Sequence, residues 1–563
     1  MNSARRMLLA FVLAVCASPA AADTLARHHM IAAASPLAAE AGRDMMRAGG
    51  SAVDAAIAAQ MVLTLVEPES SGIGGGAFLM LYDPRTKKTL SFDGRETAPH
   101  SATPGMFLGA DGKPKPHNEE IPGGLSTGVP GVLALFEIVH QRYGKLPWAR
   151  LFDPAIKLAE NGFPVSRKLA TELRQFPEIA AMPDMKRYFF HPGGTPVAEG
   201  ETLKNPELAA TFRAIAAGGA RAFYAGAIAQ AIVDAVNHAP VHPGGMTLAD
   251  LSAYHALERP AVCGTYRAYR LCSMGPPSSG GVAVLQMLGM LERFPSAALA
   301  PTSLSGVHLF TQASRLAFAD RMMFLGDPDV INVPLRGLLD RTYLAQRSAL
   351  IDPKKDMGMA PAGNPPDKRA DYAPQRSRQL PGTSHLSVVD DGGEVVSMTT
   401  TVESAFGSKI MAAGFVLNNE LTDFSFDPVL NGKPVANAPG PGKRPMSAMS
   451  PTIVFDSHGR FAIATGSPGG PAIIDFVAQS LIAMIDAHMT PQQAAALPHP
   501  LNANGPTLLE KGTALDALAP QLAAMGHTVV PYDLDSGLHT VERVRGGYIG
   551  GADPRRDGVA IGD

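Results

Sequence analysis

Cysteine is nearly absent from this chain, with three in 563 residues. Cys16 falls in an N-terminal apolar run, which leaves only Cys263 and Cys272 for the body of the protein. Their spacing fits neither a zinc site nor a CxxC redox centre. Tryptophan occurs once, and neither sign of charge dominates: 48 Lys and Arg face 51 Asp and Glu, a formal net charge of −3 with no basic block. That balance excludes the cationic face that nucleic acid requires. No apolar stretch of membrane-spanning length occurs beyond the N-terminus, so no membrane span is expected. The glycine run in "SSGIGGGAFLMLYD" (70–83) lacks a following Gly-Lys-Ser/Thr and leads into a strand. It therefore reads as close backbone packing beside a pocket and not as a phosphate loop.

What is present points to a large globular protein. Apolar residues make up 46% and charged residues 18%, enough for a sizeable core, and the length allows two to four domains. The 57 glycines and 48 prolines imply many tight turns. At the start, Arg5-Arg6, the run "MLLAFVLAV" and Ala20-Ala21-Ala22 have the form of a signal peptide over 1–22, with export to a bacterial periplasm expected. Val15 before Cys16 counts against lipidation. In "CGTYRAYRLC" (263–272), a hairpin turning at Arg267-Ala268 sets the two cysteines across from one another. A disulfide and a pair of free thiols both fit that arrangement.

The periodicity changes along the chain. Residues 36–66 read as helix interrupted at Gly49-Gly50, and helical patterns dominate from about 127 to 350. Residues 351–373, rich in Pro, Gly and charge, have the composition of a linker. Strand patterns follow in "SHLSVVD", "EVVSMTTTV", "GFVLNNE", "PTIVFDS" and "RFAIATG", then a helix at "PAIIDFVAQSLIAMIDAHM", then "HTVVPYD" and "GGYIGGAD". Helices, a sheet built by both halves and further helices predict a layered α+β protein. His28, His29 and His242 read as surface or loop residues, and no motif offers a metal or organic cofactor a site.

A Gly-Thr step, Gly382-Thr383, stands immediately before a strand. A threonine hydroxyl inside a chain is a weak nucleophile, but at a new N-terminus its own α-amine can serve as base. The same hydroxyl can attack the preceding carbonyl, and glycine there tolerates a strained backbone. Gly469-Gly470, after a strand and opening a helix, present N–H groups to an oxyanion. Glu420 and Asp423 can grip an ammonium, and Arg95 a carboxylate. Taken singly, these are also a plain turn, an acidic loop and a surface arginine.

Together the segments "GSAVDAAIAAQMVLTLVEPESSGIGGGAF", "DGRETAP", "MTLADLSAY", "PPSSGGVAVLQML", "AFADRMMFLGDPD", "TSHLSVVD", "FVLNNELTDFS", "KRPMSAMSPTIV" and "TGSPGGPAIID" give a chain that resembles the gamma-glutamyltransferase (gamma-glutamyltranspeptidase, glutathione hydrolase) family of N-terminal nucleophile hydrolases. The resemblance implies a four-layer αββα sandwich made by a large subunit, 23–382, and a small subunit, 383–563, cut from one precursor at Gly382-Thr383 and associating as a heterodimer. It implies Thr383 as nucleophile in a Thr-x-His setting with His385, Thr401 as the second threonine, and Gly469 and Gly470 as oxyanion hole. Arg95 and Ser447 match positions that hold the α-carboxylate of a γ-glutamyl donor, and Glu420 and Asp423 those around its α-amine. The expected partners are a γ-glutamyl compound, glutathione first, and water, an amino acid or a dipeptide as acceptor, without a cofactor.

The chain departs from the family pattern in three places. Ser447-Ala448 replaces two consecutive serines, Glu403 stands where asparagine is common, and 425–443 lacks the aromatic of the lid found in some members. The alternatives are a glutaryl- or cephalosporin-type acylase of the same family, or a non-processing peptide-binding relative.

Overall fold

Alternation along a few strands sets the central layers. The computed structural model describes residues 25–376 and 379–563, so the expected signal peptide lies outside the described residues. In the strand Thr383–Val389, Leu386 and Val388 join one hydrophobic core while Thr383, His385 and Ser387 share the opposite face. The strand Val395–Thr401 pairs with it antiparallel, with Thr401 opposite Thr383, Thr399 opposite His385 and Ser397 opposite Ser387. Gly76–Asp83 and Lys88–Gly94 continue this sheet on one side, and Met30–Ala33 with Val559–Gly562 complete it on the other. With Leu257–Arg259 it has seven strands.

A second, six-stranded sheet runs in the order Gly547–Ala552, His539–Val544, Phe461–Thr465, Thr452–Phe455, Tyr269–Ser273 and Val262–Tyr266. The two sheets face one another. Ser387 donates to the His539 carbonyl at 2.9 Å, Ser397 to the Thr465 carbonyl at 3.0 Å, and the Tyr82 and Phe455 rings meet edge to face at 4.9 Å.

Helices cover both outer faces. Pro36–Arg47 and Ala52–Val66 lie on the first sheet, and the second of them is buried along its whole length. Gly49, at φ 86°, ends the earlier helix, and a capping box between Ser51 and Asp54 starts the later one. Gly280–Leu291, Leu304–Phe324 and Ile473–Ile485 pack over the second sheet. The result is the αββα sandwich expected from the family resemblance, with the sheets drawn from both halves of the chain.

Some local expectations change. Residues 351–373 lack regular structure but are pinned: the N–H groups of Ala360 and Gly363 donate to Asn504 and Asp320 at 2.7 and 2.8 Å. Composition alone cannot see such tertiary anchors. "GFVLNNE" contributes only the two-residue strand Phe415–Val416, paired with Met411–Ala412 outside both sheets. Asn418 and Asn419 spend their side chains on loop backbone and on Glu403 instead. "HTVVPYD" forms the strand Val529–Tyr532 in a separate three-stranded sheet. His29 is a loop residue, as expected, but a buried one: it is 4% exposed, with ring nitrogens 3.5 Å from Asp391 and 3.3 Å from Asp563. The strand Met30–Ala33, too short and alanine-rich to show alternation, brings it there.

The hairpin at 262–273 turns at Arg267, whose φ is 53°, and Cys263 pairs with Cys272 in a disulfide. Purified protein lacking the signal segment, denatured without reductant, is therefore expected to show no reactive thiol, and two after reduction. Thiol titration measures this directly.

Candidate active site

Strand register builds the centre of the site. Because Thr401 is the direct neighbour of Thr383, their hydroxyls meet, with Thr383 Oγ1 donating to Thr401 Oγ1 at 3.2 Å. Thr401 Oγ1 in turn donates to the Gly382 carbonyl at 2.7 Å and accepts the Glu403 N–H at 2.8 Å. One proton chain thus runs from the Thr383 hydroxyl to the carbonyl of the bond just before it. The Thr383 carbonyl accepts from Arg556 Nη1 at 3.1 Å, and Ser384 donates to Glu67 at 2.7 Å, so the strand start is held on both sides.

Glycine at 382 answers a different need from the one expected. Its φ is not left-handed; a Cβ there would collide with the backbone of Glu403, Ser404 and Ala405. Gly75 is constrained likewise against the Thr401 carbonyl, in line with the reading of the glycine run as close packing. Gly469 and Gly470 do need positive φ, 131° and 56°, and lead through the single turn Gly470–Ala472 into the helix Ile473–Ile485. Gly470 shares a cavity with Thr383, and among the described residues no acceptor takes the N–H of either glycine.

The same cavity is lined by Arg95, Thr401, Glu403, Glu420, Asp423 and Ser447, together with Ala448. Every residue expected at the site except Gly382 and Gly469 therefore lines one space, and the Gly382 carbonyl accepts from Thr401 of that lining. Only about 20 Å³ of that space is free, about one water's room, because Gln379 and Leu380, just before Thr383, occupy it. Arg95, matched to a carboxylate, is engaged here with Glu420 and, at 2.6 Å, with Asp423, and it also donates to the Pro445 and Met446 carbonyls. Glu403 takes φ 82°, which aims its carboxyl inward; one oxygen accepts the Leu380 N–H at 2.8 Å and the other Asn419 at 2.6 Å. Phe426, inside 425–443, stacks on Phe107 at 4.2 Å and is not a cavity residue.

His385 takes no part in proton transfer at this cavity. Its nitrogens bond Thr399 and Ser387 between the sheets, and burial pushes its pKa well below the ordinary value, which keeps it neutral. Sequence reasoning missed Arg556, Gln379 and Arg321. Arg321 shares its helix with the buried Arg315 and Asp320, so its charge gave no distinguishing signal.

A threonine at the head of a central strand, in a sandwich of two facing sheets between helical layers, defines an N-terminal nucleophile hydrolase. The gamma-glutamyltranspeptidase family model matches residues 38–563. The chain is 39% identical over 545 residues to a glutathione hydrolase proenzyme of Bacillus subtilis, covering 95% of this chain and 91% of that one. It is 36% identical to the glutathione hydrolase proenzyme of Escherichia coli, covering 84% and 80%. The solved cephalosporin acylase of Bacillus halodurans superposes with a TM-score of 0.85 over 99% of both chains at 27% identity. The chain belongs to the gamma-glutamyltranspeptidase family.

The acids of the site titrate abnormally. Burial raises Glu96 to about 7, with Arg95 opposing, and raises Glu403 to about 8, helped by the charge of Asp423. The folded chain therefore holds protons that the unfolded chain, with carboxyls near 4.5, has lost. That contribution is complete below about pH 4.5 and declines as pH rises through 7 and 8, by about 1.4 kcal/mol per unit for each such group. Buried neutral histidines act oppositely, but His499, lowered to about 3, and His539, to about 4, lose their contribution only as pH falls below 6.5. The melting temperature of an uncut Thr383→Ala chain is thus expected to fall between pH 6.5 and 8.5. Glu96→Gln should make that fall shallower, as scanning calorimetry would show; parallel curves would refute the assignment.

Proposed function

We propose that this chain is an exported, self-cleaving γ-glutamyl hydrolase and transferase. The observation that carries the reading is the Thr401 hydroxyl, which bridges Thr383 Oγ1 and the Gly382 carbonyl. Thr383 Oγ1 attacks that carbonyl carbon, the C–N bond breaks, and the acyl group passes to oxygen as an ester. Water hydrolyses the ester, leaving subunits 23–382 and 383–563 and a free α-amine on Thr383.

In the cut enzyme the α-amine takes the Thr383 hydroxyl proton as Oγ1 attacks the γ-amide carbonyl of the donor. The N–H groups of Gly469 and Gly470 hold the oxyanion. The amine leaves with a proton, cysteinylglycine when glutathione is the donor, and a γ-glutamyl-threonine ester remains. Water or the amine of an amino acid or dipeptide resolves it.

The acids support a donor that carries an ammonium. Glu403, Glu420 and Asp423 converge on one cavity in which Arg95 already has carboxylate partners. Glu403 in place of asparagine adds to that preference, and Ala448 removes one hydroxyl from the carboxylate side. The structural likeness to a cephalosporin acylase supports a second reading, in which glutaryl-type amides are the donors.

Intact mass and a denaturing gel test the processing step: wild type is expected as two fragments, the smaller beginning at Thr383, and Thr383→Ala as one chain. One uncut chain in both would favour a peptide-binding role. With the cut enzyme, Glu403→Ala is expected to raise KM for a γ-glutamyl anilide about tenfold, the scale of a hydrogen bond to a charged group. KM for a glutaryl anilide, which lacks the ammonium, should stay within twofold. Equal effects on both would exclude an ammonium contact.

A further inference from the structure

The disulfide Cys263–Cys272 is asymmetric. Cys263 is exposed on Val262–Tyr266, the edge strand of the six-stranded sheet, while Cys272 is fully buried on the strand beside it. Between that edge and the helices Gly280–Leu291 and Arg341–Ser348 lies a groove of about 810 Å³, within the range that holds small ligands. Cys263 lines this groove and Cys272 does not, and none of the lining residues belongs to the Thr383 cavity. The Arg270 guanidinium, centred 4.2 Å over the Phe455 ring, donates to Cys272 Sγ at 3.0 Å and lies 3.9 Å from Cys263 Sγ. The accessible sulfur and the sulfur with a cation against it are thus different atoms.

The charges around the groove are unevenly matched. Arg267 pairs with Asp486 at 2.9 Å. Arg293 spends its N–H groups on the Ser348 hydroxyl and on the Ser348 and Ile351 carbonyls, and Arg341 reaches Thr265 Oγ1 at 3.5 Å. Among the described residues neither has a carboxylate within ion-pairing distance. Glu292 is the one acid of the lining, and its Oε1 accepts the Arg267 backbone N–H at 2.9 Å. Two cations without counter-ions and one acid, set beside an accessible disulfide sulfur, suit a ligand with two carboxylates, an ammonium and a thiol. Glutathione carries those groups.

We infer that Cys263 is a thiol-exchange site, at which glutathione docked in this groove is joined to the protein as a mixed disulfide. The glutathione thiolate attacks Cys263 Sγ from the groove, a new S–S bond forms there, and the Cys263–Cys272 bond breaks. Its electron pair leaves on Cys272 Sγ as a thiolate, which the Arg270 guanidinium stabilises. One disulfide replaces another, so no outside oxidant is consumed. Attack at the exposed sulfur expels the sulfur that has the cation beside it, and a stabilised thiolate is the faster leaving group. The site lies beyond the acyl-transfer reading and needs only the thiol, so either stands without the other.

The test uses the uncut Thr383→Ala chain, which under the proposed function cannot consume the thiol. The folded protein is exposed to reduced glutathione, sampled over time into iodoacetamide, and read by intact mass and peptide mapping. Early samples are expected to carry one glutathione on Cys263 and one carbamidomethyl group on Cys272. No adduct at any time, or an adduct on Cys272, overturns the assignment. Mercaptoethanol, which is neutral, and cysteamine, which carries only an ammonium, test the groove: exchange rates per thiolate are expected to fall in the order glutathione, mercaptoethanol, cysteamine. Arg341→Glu is expected to slow glutathione about fivefold and to erase its advantage over mercaptoethanol. Equal rates for the three thiols, or an unchanged order in Arg341→Glu, overturn the docking. Arg270→Gln is expected to slow all three about tenfold, the scale of a hydrogen bond to a charged group, with Arg270→Lys restoring part of the loss. Unchanged rates in Arg270→Gln overturn its part in expelling Cys272.

Discussion

The antiparallel register of Thr383–Val389 against Val395–Thr401 is the constraint on which the rest of the site depends. Side chains on paired strands repeat every second residue, so a slip by one position would turn Thr383 towards the helices and break its contact with Thr401. The register is held by burial on both faces. Leu386 and Val388 pack under the helix Ala52–Val66, while His385, Ser387, Ser397 and Thr399 bond one another or the second sheet. A polar seam between two sheets is costly unless each group finds a partner, and that requirement selects one alignment.

Around this strand pair the chain concentrates charge out of water. Arg95, Glu96, Glu403, Glu420 and Asp423 are all nearly inaccessible, and burial raises Glu96, Glu403 and Glu420 towards their neutral forms. Such a cluster stabilises the fold poorly. It suits a cavity whose occupant changes, from the chain's own Gln379 and Leu380 to a charged donor under the proposed function. Gly382, allowed there only because it has no side chain, ties a close backbone contact to the bond proposed to break.

Much of this was legible from residue patterns. The break at Gly49-Gly50, the glycine-led strand from Gly76, the strands at 383–389, 395–401, 452–455 and 461–465 and the helix after Pro471 all follow from periodicity and turn chemistry. Arg95, Glu403, Glu420, Asp423, Ser447 and the two threonines were named from motifs scattered over more than 350 positions, and the fold gathers them into one cavity. Short elements failed differently: Phe415–Val416 shrank because its asparagines satisfy loop backbone, and Met30–Ala33 went unseen because four small or apolar residues show no alternation.

By itself the sequence determined the layered class, the sheet built from both halves, the family and which threonine is proposed to react, because local periodicity and motif chemistry are written in neighbouring residues. Tertiary structure alone decided which partners those residues meet. It joined Cys263 to Cys272, gave Arg95 to the acids it was expected to complement, sent His385 between the sheets, and set Gln379 between Asp423 and Arg321. The hairpin pattern placed the two cysteines opposite one another but left their bonding open, and the other contacts span from about a dozen to more than 300 residues; all are fixed by competition for buried space and for scarce hydrogen-bond partners, whose outcome no local pattern records.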